Sequence, residues 1–122
     1  MSKDRFERDL LRGNLDLMIL SIISGEPKYG YLIQKRLKSA TDDRAGLTAG
    51  TLYPILHRME AAGLIRSTWE SESGRKRKWY QLTAKGERKL TSQAKEWEQF
   101  TQCVSNLLKS ALPGGSRSPE GA

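Results

Sequence analysis

The residues of this chain that are best suited to chemistry are clustered cations and hydroxyls, not nucleophiles or metal ligands. A run of four cations at positions 75–78 can neutralise phosphate groups, which is how proteins hold nucleic acids. The single histidine, His57, has no cysteine or serine with an acidic partner at a recognisable motif spacing, and the single cysteine, Cys103, cannot form an intramolecular disulfide. We therefore expect no enzyme activity, no metal site and no cofactor.

The charge balance points to an anionic partner. Lysine and arginine total 21 against 14 acidic residues, a formal net charge of +7, which favours nucleic acid or a lipid surface. Apolar runs all fall short of the roughly 18 residues of a membrane span, and the first residues lack the apolar block of a secretory signal. We expect a cytoplasmic protein without a membrane partner.

Two helices are predicted at the start of the chain. Apolar residues at three- and four-residue steps predict a helix over residues 11–24, with a bend near Gly13 and a C-terminal cap at Gly25. A second helix should cover residues 29–39, and the polar, glycine-containing segment 40–46 should be a loop.

The third helix has the clearest boundary signals. Thr48 is a candidate N-cap, with Leu47 and Leu52 at the two positions of a hydrophobic staple. Gly63 supplies the C-terminal cap, so the helix should end near the preceding residue. Pro54 lies one turn inside, where the N–H that it lacks would have few intrahelical partners.

A hairpin and a long helix follow. The segments 64–70 and 76–83 are rich in Ile, Thr, Trp and Tyr and predict two strands, joined by a mobile polar tip, SESGR. Thr83 can cap a last helix, whose apolar residues step by four and three as in a helix–helix seam. Phe100 and Leu107 widen the seam, and Leu112 extends it by a turn. The seam residues are Leu90, Ala94, Trp97, Thr101, Val104 and Leu108.

This order of elements predicts a winged helix-turn-helix, mainly α with a two-stranded β wing, plus a long C-terminal helix. We expect a DNA-binding domain at 1–83, a dimerisation helix at 84–112 and a disordered tail at 113–122. Because the seam is too apolar to remain in water on so short a chain, a second copy should cover it and form a homodimer.

In such folds the third helix enters the major groove of double-stranded DNA and the wing lies beside it. Small residues at the start of that helix permit close approach, and hydroxyls can bind phosphates or base edges. Three of the candidates also have simpler explanations: Thr48 as a cap, Tyr53 as a packed aromatic residue and His57 as a surface histidine. The candidate DNA-binding residues are Lys28, Tyr29, Thr48, Ala49, Gly50, Thr51, Tyr53, Pro54, His57, Arg58, Arg75, Lys76, Arg77 and Lys78.

Several of these strings resemble the PadR-type transcriptional regulators: YGY at 29–31, TLYP at 51–54 with Arg58 and Gly63, and RKWY at 77–80. The resemblance spans about residues 11–108. It implies a repressor-like homodimer in which the C-terminal helix packs against the partner's first and last helices. The two-fold symmetry of such a dimer predicts an inverted-repeat operator. Because the chain has a single such helix followed by a tail, it resembles the shorter subtype of this family. The first helix would add Leu11 and Leu15 to the interface.

Trp97 matches the position at which some members of the short subtype resemble multidrug sensors and hold planar aromatic ligands between paired tryptophans. Leu15 and Phe100 would then be wall residues of the ligand site. The alternative is that Trp97 packs in the dimer core. A further alternative for the whole chain is a winged-helix module that binds RNA or protein, without sensing an effector.

Overall fold

The computed structural model describes residues 2–44 and 46–111. Within these residues the chain forms five helices and three strands. In chain order they are α1 (Ser2–Gly13), α2 (Leu15–Ile23), β1 (Lys28–Tyr29), α3 (Gly30–Ala40), α4 (Ala49–Ala61), β2 (Ile65–Glu72), β3 (Arg75–Leu82) and α5 (Ala84–Leu108). A first compact unit ends at Leu90, and a second begins at Thr91.

The predicted first helix is two helices. The bend expected near Gly13 is a break at Asn14, whose side-chain amide donates to the carbonyl oxygen of Leu10 at 2.8 Å. Helix α1 also begins well before residue 11, which the apolar pattern did not predict because this segment is mostly charged. The ion pair between Glu7 and Arg44, at 2.9 Å, ties α1 to the loop after α3.

The wing has a third strand, which corrects the two-stranded prediction. The predicted second helix began at Tyr29, but Lys28 and Tyr29 form a short strand that pairs with Tyr80 and Trp79 of β3, and α3 begins at Gly30. The sheet order is β1-β3-β2. A strand of two residues is too short for a period-of-two pattern to reveal.

Helix α4 ends in the predicted glycine cap and begins at the predicted residue. Gly63 has a φ of +76°, and the N–H of Leu64 donates to the carbonyl of Met59 at 3.0 Å, the bond of a Schellman motif. Thr48 is the N-cap, but its hydroxyl makes no cap hydrogen bond. It lies 3.3 Å from the hydroxyl of Thr51, so only the position of the predicted cap was right.

The hairpin turn is tighter than the predicted five-residue tip. Strand β2 ends at Glu72 and strand β3 begins at Arg75, so the turn between them consists of Ser73 and Gly74. Both turn residues have positive φ, +51° and +78°. Two such residues match the right-handed twist of the flanking strands, which is why this short turn is possible.

The hydrophobic core lies among α2, α3, α4 and the base of the hairpin. It holds Ile19, Leu20, Ile23, Ile33, Leu37, Leu52, Leu56, Met59, Ile65, Tyr80 and Leu82. Leu15, predicted to face a partner chain, also belongs to this core and is only 5% exposed. We therefore remove it from the dimer surface and from the ligand site.

Helix α5 begins with the predicted cap, since the Thr83 hydroxyl accepts from the N–H of Gly86 at 3.0 Å. The helix ends at Leu108, earlier than the predicted extension to Leu112. Leu112 and the predicted tail, 113–122, lie outside the described residues.

Gly86 allows α5 to begin directly against the start of β2. A Cβ on this residue would overlap the backbone carbonyl oxygen of Leu64. We expect Gly86→Ala to lower the free energy of unfolding by about 1–3 kcal/mol, the usual cost of overpacking, even though alanine favours a helix by about 1 kcal/mol over glycine. Urea unfolding measures this. Gly13→Ala is the matched control because no atom lies within 4 Å of its Cβ; equal stability of both variants would contradict the close approach.

Candidate nucleic-acid interface

An open groove of about 620 Å³ separates α4 from the hairpin. None of the described residues that line it is acidic, so its charge is positive. The lining residues are Tyr29, Gly30, Tyr31, Tyr53, His57, Trp69, Arg75, Arg77, Lys78 and Tyr80.

Five elements meet at this groove, and α3 contributes Gly30 and Tyr31. Helix α4 presents Tyr53 and His57, which lie four residues apart and therefore on one helical face. The register pairs Trp69 with Lys78, so these two side chains lie on the same face of the hairpin. Strand β1 covers only Trp79 and Tyr80 of β3, which leaves the start of β3 without a strand on that side.

The cations of the wing differ in how firmly they are held. The guanidinium of Arg77 lies 4.4 Å from the centroid of the Tyr29 ring, which itself packs edge-on against Trp79. Lys78 lies 3.7 Å from a carboxylate oxygen of Glu60, so part of its charge is neutralised within the protein. Arg75 and Lys76 are exposed.

Two of the tyrosines that line the groove, Tyr53 and Tyr80, also pack against other residues of the fold. The ring of Tyr53 packs against Gly30, where any side chain would overlap the phenol, and yet Tyr53 is still 38% exposed. Tyr53 therefore packs as the sequence suggested, and its contact with DNA stays a prediction. Tyr80 is buried, and this burial raises the pKa of its hydroxyl.

The first turn of α4 presents small residues to solvent. Ala49 and Gly50 are exposed together with Thr48, Pro54 and His57, and Thr51 is half-buried. A Cβ on Gly50 would lie 3.6 Å from the Thr48 hydroxyl, which is an ordinary contact. The helix therefore has a flat N-terminal surface that another molecule can approach closely.

Lys28 is not available as a surface cation, although the sequence suggested it. It is 5% exposed, and its ammonium donates to the backbone carbonyls of Ser24 and Glu26 at 3.4 and 3.0 Å. Burial, and next the nearby charge of Arg36, lower the pKa of Lys28. Its role is to hold the turn before β1.

Arg58 faces another helix and does not line the groove. Its guanidinium donates to both carboxylate oxygens of Asp16 on α2, at 2.9 and 3.0 Å. This hydrogen bond, more than the charge of Asp16, raises the pKa of Arg58. The pair links α4 to α2 at the surface, where Arg58 is exposed, and its contact with DNA stays a prediction.

Sequence reasoning missed Tyr31 and Trp69 as groove residues. They are 65% and 63% exposed. Alternation along β2 puts Trp69 on the same face as Ile65, which is buried. Alternation cannot show that the hydrophobic core covers Ile65 but does not extend as far as Trp69. Tyr31 was part of the YGY string, which was the available signal.

The predicted seam residues lie on both sides of the boundary between the two units. Leu90 packs against the core of the first unit, as does Leu11, and both are half-buried. In the second unit Trp97 and Phe100 are 42% and 60% exposed. Ala94 and Leu108 are also exposed, and Thr101 and Val104 are half-buried.

Two further observations bear on other kinds of function. Among the described residues, no three or more of His, Cys, Asp and Glu are grouped so that they could hold a metal ion. In the same part of the chain, no helix combines the length and apolar character needed to cross a bilayer.

Three helices, a small antiparallel sheet and the groove between helix and hairpin define a winged helix-turn-helix protein. The family model described as the transcriptional regulator PadR-like family matches residues 19–92. The chain therefore belongs to the PadR-like family of transcriptional regulators, proteins that act by binding DNA, and the predicted resemblance is confirmed.

Solved structures and a curated relative agree with this assignment. A PadR-like transcriptional regulator from Bacillus cereus has a TM-score of 0.76 and 36% identity, covering 83% of this chain and 97% of that one. A PadR family regulator from Eggerthella lenta has a TM-score of 0.69 and 36% identity, covering 83% and 87%. A transcriptional regulator from Mycobacterium tuberculosis is 40% identical over 58 residues, which are 48% of this chain and 54% of the relative.

Proposed function

We propose that this chain is a cytoplasmic, homodimeric repressor that binds double-stranded DNA in a sequence-specific manner. In this proposal residues 1–83 bind DNA, and the segment 84–112, which contains α5, forms the dimer contact. The observation that carries the proposal is the cationic groove between α4 and the wing, beside the exposed first turn of α4. Helix α4 would enter the major groove while the wing contacts the neighbouring phosphates.

The first turn of α4 is suited to a close approach rather than to extensive base readout. Thr48, Ala49 and Gly50 are small and exposed, and the hydroxyl of Thr51 lies on the same turn. Hydroxyls and free N–H groups at a helix N-terminus bind phosphate oxygens and fix the register of a protein on the duplex. Tyr53 and His57, one and two turns further, extend this surface.

Arg75 and Arg77 are the strongest candidates for phosphate contacts because both line the groove, with Glu72 and Glu70 as their cross-strand neighbours. The contact with the Tyr29 ring restricts the Arg77 side chain before DNA is bound, so Arg77 loses less conformational entropy when it binds a phosphate. Lys76 is exposed, and Lys78 contributes less because Glu60 is close to it.

The double variant Arg75→Ala, Arg77→Ala tests the wing. Each phosphate contact contributes about 0.9 to the slope of log K against log salt, so a dimer that loses four contacts should lose a slope of about 3 to 4. Fluorescence anisotropy with a duplex over a salt series measures this. Lys38→Ala, Lys89→Ala removes the same charge from outside the groove, and an equal change of slope there would remove the wing from the interface.

The apolar residues of α5 are the basis for proposing a homodimer. Trp97, Phe100, Leu107 and Leu108 are all more than 40% exposed in the single chain. Together with half-buried Val104 they follow three- and four-residue steps, from 97 to 100, 104 and then 107 or 108, which is the spacing of a helix–helix seam. A second copy of the same helix would cover them.

Release by a small aromatic ligand is a second candidate property, and the ring pair on α5 favours it. The centroids of Trp97 and Phe100 are 6.2 Å apart and the rings are tilted by 38°. Two such pairs facing each other in a dimer would offer flat surfaces to a planar aromatic cation. With Leu15 buried in its own protomer, these two residues are the remaining predicted walls.

A titration with planar dyes decides between this ligand site and a packed dimer core. If Trp97 lines a ligand site, high-micromolar dye should quench its fluorescence and release DNA, and Trp97→Ala should melt near wild type. If Trp97 is core, dyes should leave the emission unchanged, and Trp97→Ala should lose about 3–5 kcal/mol of stability for each buried tryptophan. The second result would end the ligand hypothesis.

A further inference from the structure

Two of the most exposed aromatic side chains lie in the cationic groove. Trp69 on β2 is 63% exposed and Tyr31 on α3 is 65% exposed. The ammonium of Lys78 lies 6.0 Å from the centroid of the Trp69 ring. Neither ring is needed to fill the core, so their packing gives no reason for two large flat groups at this place.

Duplex DNA also gives little reason for exposed flat rings. A duplex presents phosphates and base edges to a protein, while the faces of its bases are stacked on one another. Cations and hydroxyls bind those groups. Unpaired bases differ because each offers a free π-face to an aromatic side chain.

We propose that this groove also binds single-stranded nucleic acid, with unpaired bases stacked on Trp69 and Tyr31 and the adjacent phosphates bound by Arg75 and Arg77. A positively charged groove with aromatic platforms is the arrangement used for single strands. The shared chemistry of single-stranded DNA and RNA is the unpaired base beside a phosphate. This activity is separate from the proposed binding of a duplex.

The groove has the size and charge for this occupant. Its volume of about 620 Å³ falls within the range of about 300–1,000 Å³ typical of small-molecule sites, so it can hold a nucleotide or two rather than a long segment. The described lining residues include no carboxylate that would repel a phosphate. His57 adds a further donor or acceptor at the α4 side.

The test compares labelled oligodeoxythymidylate, oligouridylate and a duplex by fluorescence anisotropy on the full chain. We expect the wild-type protein to bind at least one single strand. Trp69→Ala should weaken that binding by about 5- to 150-fold, the range for loss of one stacked base, and by more than it weakens duplex binding, because a duplex offers Trp69 no free base face. Trp69→Phe should keep most of the affinity, and Ser39→Ala, at an exposed position of α3 outside the groove, should be neutral.

The two single strands identify the source of the bases, since preference for either one supports the proposal and assigns it to DNA or RNA. Three results would overturn it: no single-strand binding, single-strand binding that Trp69→Ala leaves unchanged, or an equal loss of duplex affinity in that variant. Absence of duplex binding alone would instead contradict the proposed regulator function. Circular dichroism confirms that each variant is folded.

Discussion

Gly50→Glu is expected to abolish specific binding to duplex DNA while leaving the protein folded. Gly50 is exposed in the first turn of α4, and a Cβ there meets only the Thr48 hydroxyl at an ordinary distance. A glutamate would place a carboxylate against phosphates, and such a like-charge contact costs several kcal/mol, or about 100-fold or more in affinity. The same carboxylate near a helix N-terminus is favourable for the helix, by about 0.3–1 kcal/mol. Binding and stability should therefore change in opposite directions.

Two controls separate the site from general effects of charge and shape. Gly50→Ala adds a methyl group without charge and should raise stability by up to about 1 kcal/mol. Ser39→Glu makes the same change of net charge at an exposed position near the end of α3. Fluorescence anisotropy measures the affinity for duplex DNA, and thermal melting measures the stability of each variant. Normal duplex affinity in folded Gly50→Glu would mean that α4 does not face DNA.

Val104→Asp is expected to convert the proposed dimer to monomers and thereby to weaken DNA binding. The seam residues of α5 extend from Leu90 to Leu108, about 27 Å at roughly 1.5 Å per residue, and Val104 is one of them. In a two-fold interface the substitution buries an unpaired carboxylate twice, at a cost of several kcal/mol. Because linked binding commonly exceeds single-site binding by about 10²–10⁴, DNA affinity should fall at least about 100-fold.

Sedimentation equilibrium measures the molecular mass of the wild-type protein and of Val104→Asp, and so distinguishes dimer from monomer. Ser105→Asp, at the next and exposed position of α5, introduces the same charge roughly a quarter-turn away from Val104 and should leave the dimer intact. A wild-type protein that sediments as a monomer would contradict the dimer. So would a Val104→Asp variant that keeps both its mass and its DNA affinity.

Most of the fold follows from local signals in the sequence. The glycine cap at Gly63, the N-cap position of Thr48 and the cap at Thr83 fixed helix boundaries closely because caps depend on a few adjacent residues. Strand β1 and the two-residue turn at Ser73 were missed because they depend on pairing with β3. Tertiary packing, not local preference, decides such elements.

The candidate site was predicted in part, and its errors have a common cause. Sequence position indicated α4 and the wing, but it could not show which partner a charged residue meets in the fold. Lys28 is buried by the turn before β1, and Arg58 is held by Asp16, which is 42 residues away in the chain. Trp69 and Tyr31 were missed because exposure at the edge of a core is a property of the packed structure.

The central claim is that two copies of the α4–wing surface bind a duplex with two-fold symmetry. Selection of the full chain against a random duplex pool, followed by hydroxyl-radical footprinting on the enriched sequence, tests it most directly. We predict an inverted repeat with two protected half-sites about 10 base pairs apart, centre to centre, and no enrichment by Gly50→Glu. An unenriched pool, a single unrepeated site, or the same footprint from Gly50→Glu would contradict the account.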